Sequence, residues 1–189
     1  MNTLLKAYLH KRTSLDSESI DIICSYFKLY KTKRNEVLCN IGQVCKKLYF
    51  INKGSLRQYE IDKKGNEITG KFTLENELAT VLPSFINKEQ STTCLTTIEP
   101  SELLVIYRDD LFELTSNYPE FALVYYQFIE QSFIQAQKRV YSMLGMAGIE
   151  KLQWVMKYKP KFMSRISSKT IASYLGMTNS TLSKLRAQL

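Results

Sequence analysis

The stretch IASYLGMTNSTLSKL, residues 171–185, places two short amphipathic runs on either side of a glycine. Ala172 is small enough for two helices to approach closely, and Gly176 suits the left-handed backbone of a tight turn. The remaining core positions of a helix-turn-helix are filled by apolar residues: Ile171, Leu175, Met177, Leu182 and Leu185. Because all seven positions carry the required residue type, the stretch predicts a helix-turn-helix.

Polar residues surround this predicted core. Ser167 and Thr178 are typical helix N-caps, so we expect them to begin the two helices. The second helix would cover about residues 179–187, and its outward side chains suit base edges or phosphates. The predicted DNA-binding set is Ser167, Lys169, Thr178, Asn179, Ser180, Thr181, Ser183, Lys184 and Arg186. For any single member, a solvated polar residue is the alternative interpretation.

The net charge of +8 is unevenly distributed along the 189 residues. Residues 1–150 hold 18 basic and 18 acidic residues, whereas residues 151–189 hold eight basic residues and no acidic one. Such a local basic field attracts polyanions. A solvated basic tail is the alternative, but apolar residues such as Leu152, Trp154 and Val155 indicate that this segment folds.

Several functional classes are not expected from the composition. No apolar run approaches the ~20 residues of a membrane helix, and residues 1–12 lack the features of a signal peptide. We therefore expect a soluble, cytoplasmic protein without a membrane partner. The four cysteines form no CxxC pair and His10 is the only histidine, so no metal site is expected. No catalytic triad or glycine-rich phosphate loop is present, so we expect no catalytic residues and no enzyme activity.

The sequence pattern before the long helix changes from helical to strand-like near residue 29. Residues 3–28 have helical spacing, whereas residues 30–107 form short runs rich in Tyr, Phe, Ile and Thr. The sequence DKKGNE, residues 62–67, predicts a hairpin turn with Gly65 at positive φ. Strands spaced about ten residues apart predict a small barrel or sandwich.

A long helix is predicted from Pro119 to Leu144, where Pro and Gly145 supply start and stop signals. Its apolar residues cover much of its circumference, so one face would pack on the β domain and a second would remain for another copy of the chain. A fully buried central helix is the alternative. The predicted homodimer interface is Tyr125, Phe128, Ile129, Phe133, Ala136 and Val140. A further helix is expected over residues 146–159, then a connector at 159–166 with room for a short strand.

The order of these parts resembles the Crp/Fnr superfamily of bacterial transcription regulators. The wording LYFINKGSLRQYEID (48–62) and ISSKTIASYLGMTNSTLSKLR (166–186) is similar to the subgroup common in Bacteroidetes. The resemblance implies an α+β fold: a cyclic-nucleotide-binding-like β-roll of jelly-roll type (1–117), a dimerisation helix (118–145) and a winged helix-turn-helix domain (146–189). Any wing is expected to come from residues before Ser167 or to be reduced. The family's base-reading positions fall on Asn179, Ser180 and Lys184.

The resemblance also locates an effector site. Cyclic-nucleotide-binding members carry a Gly-Glu pair and, further along, an Arg for the cyclic phosphate. Here Asn76-Glu77 and Ser91-Thr92 occupy those places, so the arginine is missing. A desolvated phosphate without a fixed cation has a poor partner, so we expect no cyclic AMP binding and no cofactor. The predicted pocket for a small-molecule effector of unknown identity is Leu74, Asn76, Glu77, Leu78, Ser91 and Thr92.

The leading interpretation is a homodimeric, sequence-specific regulator that binds double-stranded DNA. Its β-roll would either sense an unknown effector or serve as a ligand-free scaffold, and RNA polymerase is a further candidate partner. The alternative is a cyclic-nucleotide-type sensor whose C-terminal domain binds a protein rather than DNA. Salt-dependent DNA binding would separate the two hypotheses.

Overall fold

The computed structural model describes residues 2–189 and combines helices with two β-sheets. Within this range the helices are α1 (Thr3–His10), α2 (Ser17–Tyr26), α3 (Leu82–Asn87), α4 (Arg108–Asn117), α5 (Pro119–Gly145), α6 (Gly148–Tyr158), α7 (Pro160–Arg165), α8 (Ser168–Leu175) and α9 (Asn179–Arg186). The strands are β1 (Lys28–Thr32), β2 (Val37–Cys39), β3 (Lys47–Lys53), β4 (Leu56–Ile61), β5 (Glu67–Thr73), β6 (Leu78–Ala79), β7 (Cys94–Thr97) and β8 (Ser101–Tyr107). No described helix has the length and hydropathy needed to cross a membrane.

The strands form two four-stranded sheets, in the orders β1-β8-β3-β6 and β2-β7-β4-β5. In the first sheet, β8 pairs antiparallel with both β1 and β3. Most residues of β8 are buried. The helices that follow the sheets in sequence complete the mixed architecture. The predicted α+β class with a β-roll and a long helix is therefore confirmed.

The first of two compact units comprises the residues up to Gln58 and residues Phe72–Gln131. The N-terminal helices contribute directly to its core, because Leu9 and Ile23 are completely buried and the Tyr8 ring meets Phe50 edge-on at 5.3 Å. Each such large apolar side chain stabilises the fold by about 1.5–3 kcal/mol. The predicted helical region at 3–28 is divided into α1 and α2, because Asp16 caps α2 by accepting a hydrogen bond from the Ser19 amide at 2.7 Å.

The turn between β3 and β4 requires a glycine. Gly54 has φ of +105°, and a β-carbon there would lie 2.1 Å from Ser101 Oγ. The backbone conformation and the close approach of β8 thus both exclude a side chain at this position.

The second compact unit comprises Tyr59–Lys71, which we call the hairpin tip, and Ser132–Leu189. The predicted hairpin turn is confirmed, since Gly65 has φ of +83° and the Asp62 amide donates to the Asn66 carbonyl at 2.9 Å. The core of this unit contains apolar residues from α6 to α9: Leu152, Val155, Phe162, Ile166, Ile171, Ala172, Leu175 and Leu182.

The region before the predicted helix-turn-helix differs from expectation. Residues 159–166 contain α7 rather than a short strand, because Pro160 occupies the first turn of a helix, where its missing N–H costs nothing. Residues 146–189 hold four helices and no strand, so the wing implied by the resemblance is not found in this segment. The predicted boundaries at 117/118 and 145/146 stay a prediction, although the two units divide α5 after Gln131.

Candidate nucleic-acid interface

Helices α8 and α9 both begin at the predicted cap residues. Ser167 Oγ accepts a hydrogen bond from the Thr170 amide at 3.3 Å, and Thr178 Oγ1 accepts one from the Thr181 amide at 3.1 Å. Each hydroxyl satisfies an amide that has no partner within its helix. The sequence therefore fixes the start of each helix through local capping.

The turn between the two helices has the predicted left-handed glycine. Gly176 has φ of +68° and ψ of +35°, and its amide donates to the Ser173 carbonyl. The next amide, that of Met177, donates to the Ala172 carbonyl at 3.0 Å. These bonds close the end of α8 and direct the chain into α9.

The residues predicted to form the helix-turn-helix core are packed together. Ile171, Ala172, Leu175 and Leu182 are at most 1% exposed. Leu185 and Met177 are partly buried, and a β-carbon at Gly148 in α6 would lie 3.2 Å from Leu185 Cδ1. The predicted core is thus brought together as a helix-turn-helix supported by α6 and α7.

All nine predicted DNA-binding residues are exposed on this unit. Three of them are also engaged with each other, because Thr178 Oγ1 lies 2.9 Å from Ser180 Oγ and 2.8 Å from Thr181 Oγ1. This hydroxyl cluster lies at the N-terminus of α9, where backbone amides and the helix dipole favour anions. Arg186 is held differently, since its Nη1 donates to Ser168 Oγ at 2.8 Å near the start of α8.

A polar junction that the sequence analysis missed lies beside α8. Arg139 of α5 donates from Nη2 to the carbonyls of Thr69 and Tyr174, each at 2.8 Å, and its guanidinium lies 4.1 Å from the centre of the Tyr174 ring. Burial lowers the pKa of Arg139 from its ordinary value, while Tyr174 opposes this shift. Contacts between residues so distant in sequence leave no local signal in the sequence.

The predicted dimer interface on α5 needs a correction. Tyr125 and Phe128 are only 5% and 8% exposed because they pack in the core of the first unit. Ile129 is partly buried, whereas Phe133, Ala136 and Val140 are exposed. The exposed large apolar residues of α5 are Leu123, Tyr126, Phe133, Val140, Tyr141 and Leu144.

Part of this exposed set has coiled-coil spacing. Tyr126, Phe133 and Val140 are seven residues apart, and Ile129 and Ala136 follow the first two by three residues. Apolar residues at these two heptad positions form the seam of paired helices. Tyr126, which the sequence analysis left out, replaces Tyr125 in this pattern.

Two of the predicted effector residues, Glu77 and Ser91, make hydrogen bonds within their own turns. Glu77 Oε2 accepts from the Leu74 amide at 2.9 Å, and the neighbouring Asn76 has φ of +65°. Ser91 Oγ donates to the Thr93 carbonyl at 2.6 Å and accepts from the Thr93 amide, while Thr92 is exposed. Leu78 is buried and Leu74 partly buried. The polar side chains Glu77 and Ser91 therefore close their own turns.

A small apolar cavity lies in the first unit, away from most of these residues. Its volume is about 10 Å³, close to the minimum for a single water molecule. Only Leu78 of the predicted effector set is among its lining residues, which are Leu5, Tyr8, Leu9, Phe27, Leu48, Leu78, Leu111, Phe121, Val124 and Tyr125. The cavity is too small and too apolar for a nucleotide.

The cysteines and acidic residues form no metal site in residues 2–189, where no three His, Cys, Asp or Glu side chains cluster suitably. All four cysteines are buried and free. Burial raises the pKa of the Cys24 thiol to about 11, which keeps it protonated at neutral pH.

Comparisons with known proteins identify the architecture. Residues 30–118 match the family model of the cyclic nucleotide-binding domain. FixK2 from Bradyrhizobium japonicum has a TM-score of 0.74 and 16% identity over 86% of this chain and 84% of that one. A transcriptional regulator assigned to the Crp/Fnr family, from Eubacterium rectale, has a TM-score of 0.71 and 14% identity over 90% and 82%. The chain therefore shares the overall fold of these two structures.

A third structure shares this fold over nearly its full length. The c-di-GMP-responsive global regulator CLP from Xanthomonas campestris has a TM-score of 0.74 and 15% identity, covering 92% of this chain and 91% of that one. No curated protein sequence matches the chain. The predicted resemblance is thus confirmed at the level of the fold, whereas membership of the Crp/Fnr superfamily and of its Bacteroidetes subgroup stays a prediction.

Proposed function

We propose that this chain is a homodimeric, sequence-specific DNA-binding transcription regulator of the Crp/Fnr type. The observation that carries the proposal is the exposed polar face of α9 on a packed helix-turn-helix. This face lies in a segment with eight basic residues and no acidic one. The fold is shared with two structures of regulators, which cover 92% and 90% of this chain.

The exposed polar face of α9 would enter the major groove. Asn179 can pair bidentately with adenine and Lys184 with guanine, whereas the hydroxyls of Ser180 and Thr181 suit either bases or phosphates. Lys169, at the start of α8, would contact phosphate. The field of the basic segment would accelerate association and make affinity depend on salt.

The dimer would form along α5. A monomer leaves Phe133 and Val140 61% and 54% exposed, and their heptad spacing suits a second copy of the same helix. A two-fold dimer would present two α9 helices to half-sites about 34 Å apart, one turn of DNA. The operator is therefore expected to be a palindrome.

Cyclic AMP is not proposed as the effector. Glu77 and Ser91 are engaged in turns, and Lys88 lies at the exposed C-terminus of α3 rather than at the position of the family's arginine. The β-roll would respond to another small molecule or serve as a scaffold. Calorimetric titration with cyclic AMP and with cyclic di-GMP, to which the relative CLP responds, tests this part; micromolar cyclic AMP binding would contradict it.

The central experiment is selection of genomic DNA fragments by the purified full chain at two salt concentrations. We expect a two-fold symmetric motif whose affinity falls steeply as salt rises. The double variant Asn179→Ala/Lys184→Ala should lose the motif. Lys138→Gln, an exposed change on α5 outside the proposed face, provides the matched control.

The alternative function is a sensor whose C-terminal unit binds a protein. It would be favoured if the chain showed no symmetric motif at either salt concentration, with or without candidate effectors. Retention of the motif in the Asn179→Ala/Lys184→Ala variant would instead show that α9 does not read the bases.

A further inference from the structure

The hairpin tip and α8 meet at one hydroxyl group. The Thr69 amide donates to Ser173 Oγ at 3.0 Å, and the Thr69 and Ser173 hydroxyls also lie 3.0 Å apart. Ser173 Oγ in turn donates to the Glu67 carbonyl at 2.5 Å. Three contacts thus attach one residue of α8 to two residues of the hairpin tip, and Thr69 is completely buried there.

Arg139 adds a second attachment from the long helix. Its Nη2 bridges the Thr69 carbonyl and the Tyr174 carbonyl, and its buried Nη1 has no hydrogen-bond partner. Tyr174 is the penultimate residue of α8, and carbonyls in the last turn of a helix are bonded by groups outside the helix's own hydrogen-bond ladder. A guanidinium there satisfies the carbonyl and interacts favourably with the helix dipole.

We infer that Arg139 and Ser173 are positioning residues for the proposed DNA binding, because they hold α8, and through it α9, in one orientation against the hairpin tip and α5. This inference rests on the proposed function. Helix α9 follows α8 after the short turn at Gly176 and shares its core through Leu175 and Leu182, so a restraint on α8 restrains α9.

The junction does not cover the proposed DNA-binding face. Ser173 and Tyr174 face the hairpin tip and Arg139, whereas the nine predicted DNA-binding residues are all exposed. The contact therefore orients the recognition helix without blocking it. Because α9 itself makes the contacts within one half-site, loss of the junction should leave those contacts intact. It should instead change which spacings between two half-sites the dimer prefers.

The test compares the full chain with Ser173→Ala, Arg139→Gln and the control Lys138→Gln. The DNA probes are the operator selected with the unmodified chain, versions with the half-sites one base pair closer or farther apart, and a single half-site. The positioning variants should bind the single half-site within about twofold of the unmodified chain. Their preference for the original spacing should fall by roughly fivefold for each lost hydrogen bond.

Hydrogen exchange measures the attachment independently of DNA. In Ser173→Ala the Thr69 amide loses its acceptor, so its exchange should accelerate by roughly fivefold or more, while Lys138→Gln leaves it unchanged. Arg139→Lys keeps the charge but not the two-carbonyl geometry, and should give an intermediate preference for spacing. Circular dichroism and thermal unfolding verify that each variant is folded.

Each other outcome has a defined meaning. Unchanged Thr69 exchange in Ser173→Ala would overturn the attachment, and faster exchange with an unchanged spacing preference would overturn the positioning role. Equal losses of affinity on all probes, including the half-site, would likewise overturn it. If the unmodified chain selects no symmetric operator, the proposed function fails and the positioning role with it, whereas exchange at Thr69 would still report the attachment.

Discussion

Replacing Gly176 by Ala isolates the conformational requirement of the helix-turn-helix. The residue has φ of +68°, and an added β-carbon would meet only Met143 Sδ, at 3.8 Å, which is an ordinary contact. The cost is therefore backbone strain alone, about 1–2 kcal/mol for a left-handed L-residue. A gain of about 0.4–1 kcal/mol from the stiffer unfolded chain partly offsets it, leaving a net destabilisation of about 1 kcal/mol.

The matched control is Gly42→Ala. Gly42 has φ of +83° with no atom within 4 Å of an added β-carbon, so the same strain applies in the other compact unit. Both variants should lower the melting temperature by about 2–4 °C in a chain of this size. Only Gly176→Ala should weaken operator binding, by up to about fivefold per protomer if DNA must restore the strained turn.

Thermal unfolding and a binding titration on the selected operator provide the measurements. Gly176→Asn should recover part of the stability, because Asn tolerates the left-handed region better than Ala. Native stability together with native affinity in Gly176→Ala would refute the strain argument. Equal loss of affinity in Gly42→Ala would show that general destabilisation, rather than the turn, weakens binding.

Three further predictions concern charge, assembly and pH. Lys169→Ala should reduce the salt slope of operator binding by about one per protomer, measured by fluorescence anisotropy in increasing salt; an unchanged slope would remove Lys169 from the phosphate contacts. Phe133→Glu should convert the dimer to monomers in sedimentation velocity because it places a charge in the apolar seam, whereas Lys138→Gln should not. Burial raises the pKa of Cys24 to about 11 in the folded chain, from an ordinary value of 9.0, so its contribution to stability is complete below pH 9 and is lost as pH rises towards 11. Between pH 9 and pH 11, the free energy of unfolding measured with urea should decline less in Cys24→Ala than in the unmodified chain.

The helix-turn-helix could be predicted from sequence because its determinants are local. Ser167 and Thr178 cap amides three residues ahead, and Gly176 sets a turn through its own backbone freedom. Leu175 and Leu182 follow the spacing of helices that share a core. The caps, the turn and the apolar spacing each depend on residues close together in the chain. A single sequence is therefore enough to predict them.

The polar junction between the hairpin tip and α8 could not be predicted from the sequence. Two of its partners, Thr69 and Ser173, are 104 residues apart in the chain. Thr is common in strands and Ser is tolerated in helices, so the residues around Thr69 and Ser173 do not indicate that the two are in contact. The burial of Tyr125, one of the predicted dimer residues, was missed for a related reason. Tyr125 and Tyr126 are adjacent and chemically alike, and only the packing of the first unit decides that Tyr125 is buried and Tyr126 exposed.

Two of the predicted effector residues, Glu77 and Ser91, make local hydrogen bonds in turns of the first unit. Glu77 stands where the resemblance places the carboxylate for ribose, yet here its side chain accepts the Leu74 amide and so stabilises the turn before β6. Ser91 replaces the arginine and closes the turn before β7 with two hydrogen bonds to Thr93. No arginine at position 91 compensates the charge of a buried phosphate. The missing arginine is therefore the reason to expect an effector other than cyclic AMP, or none.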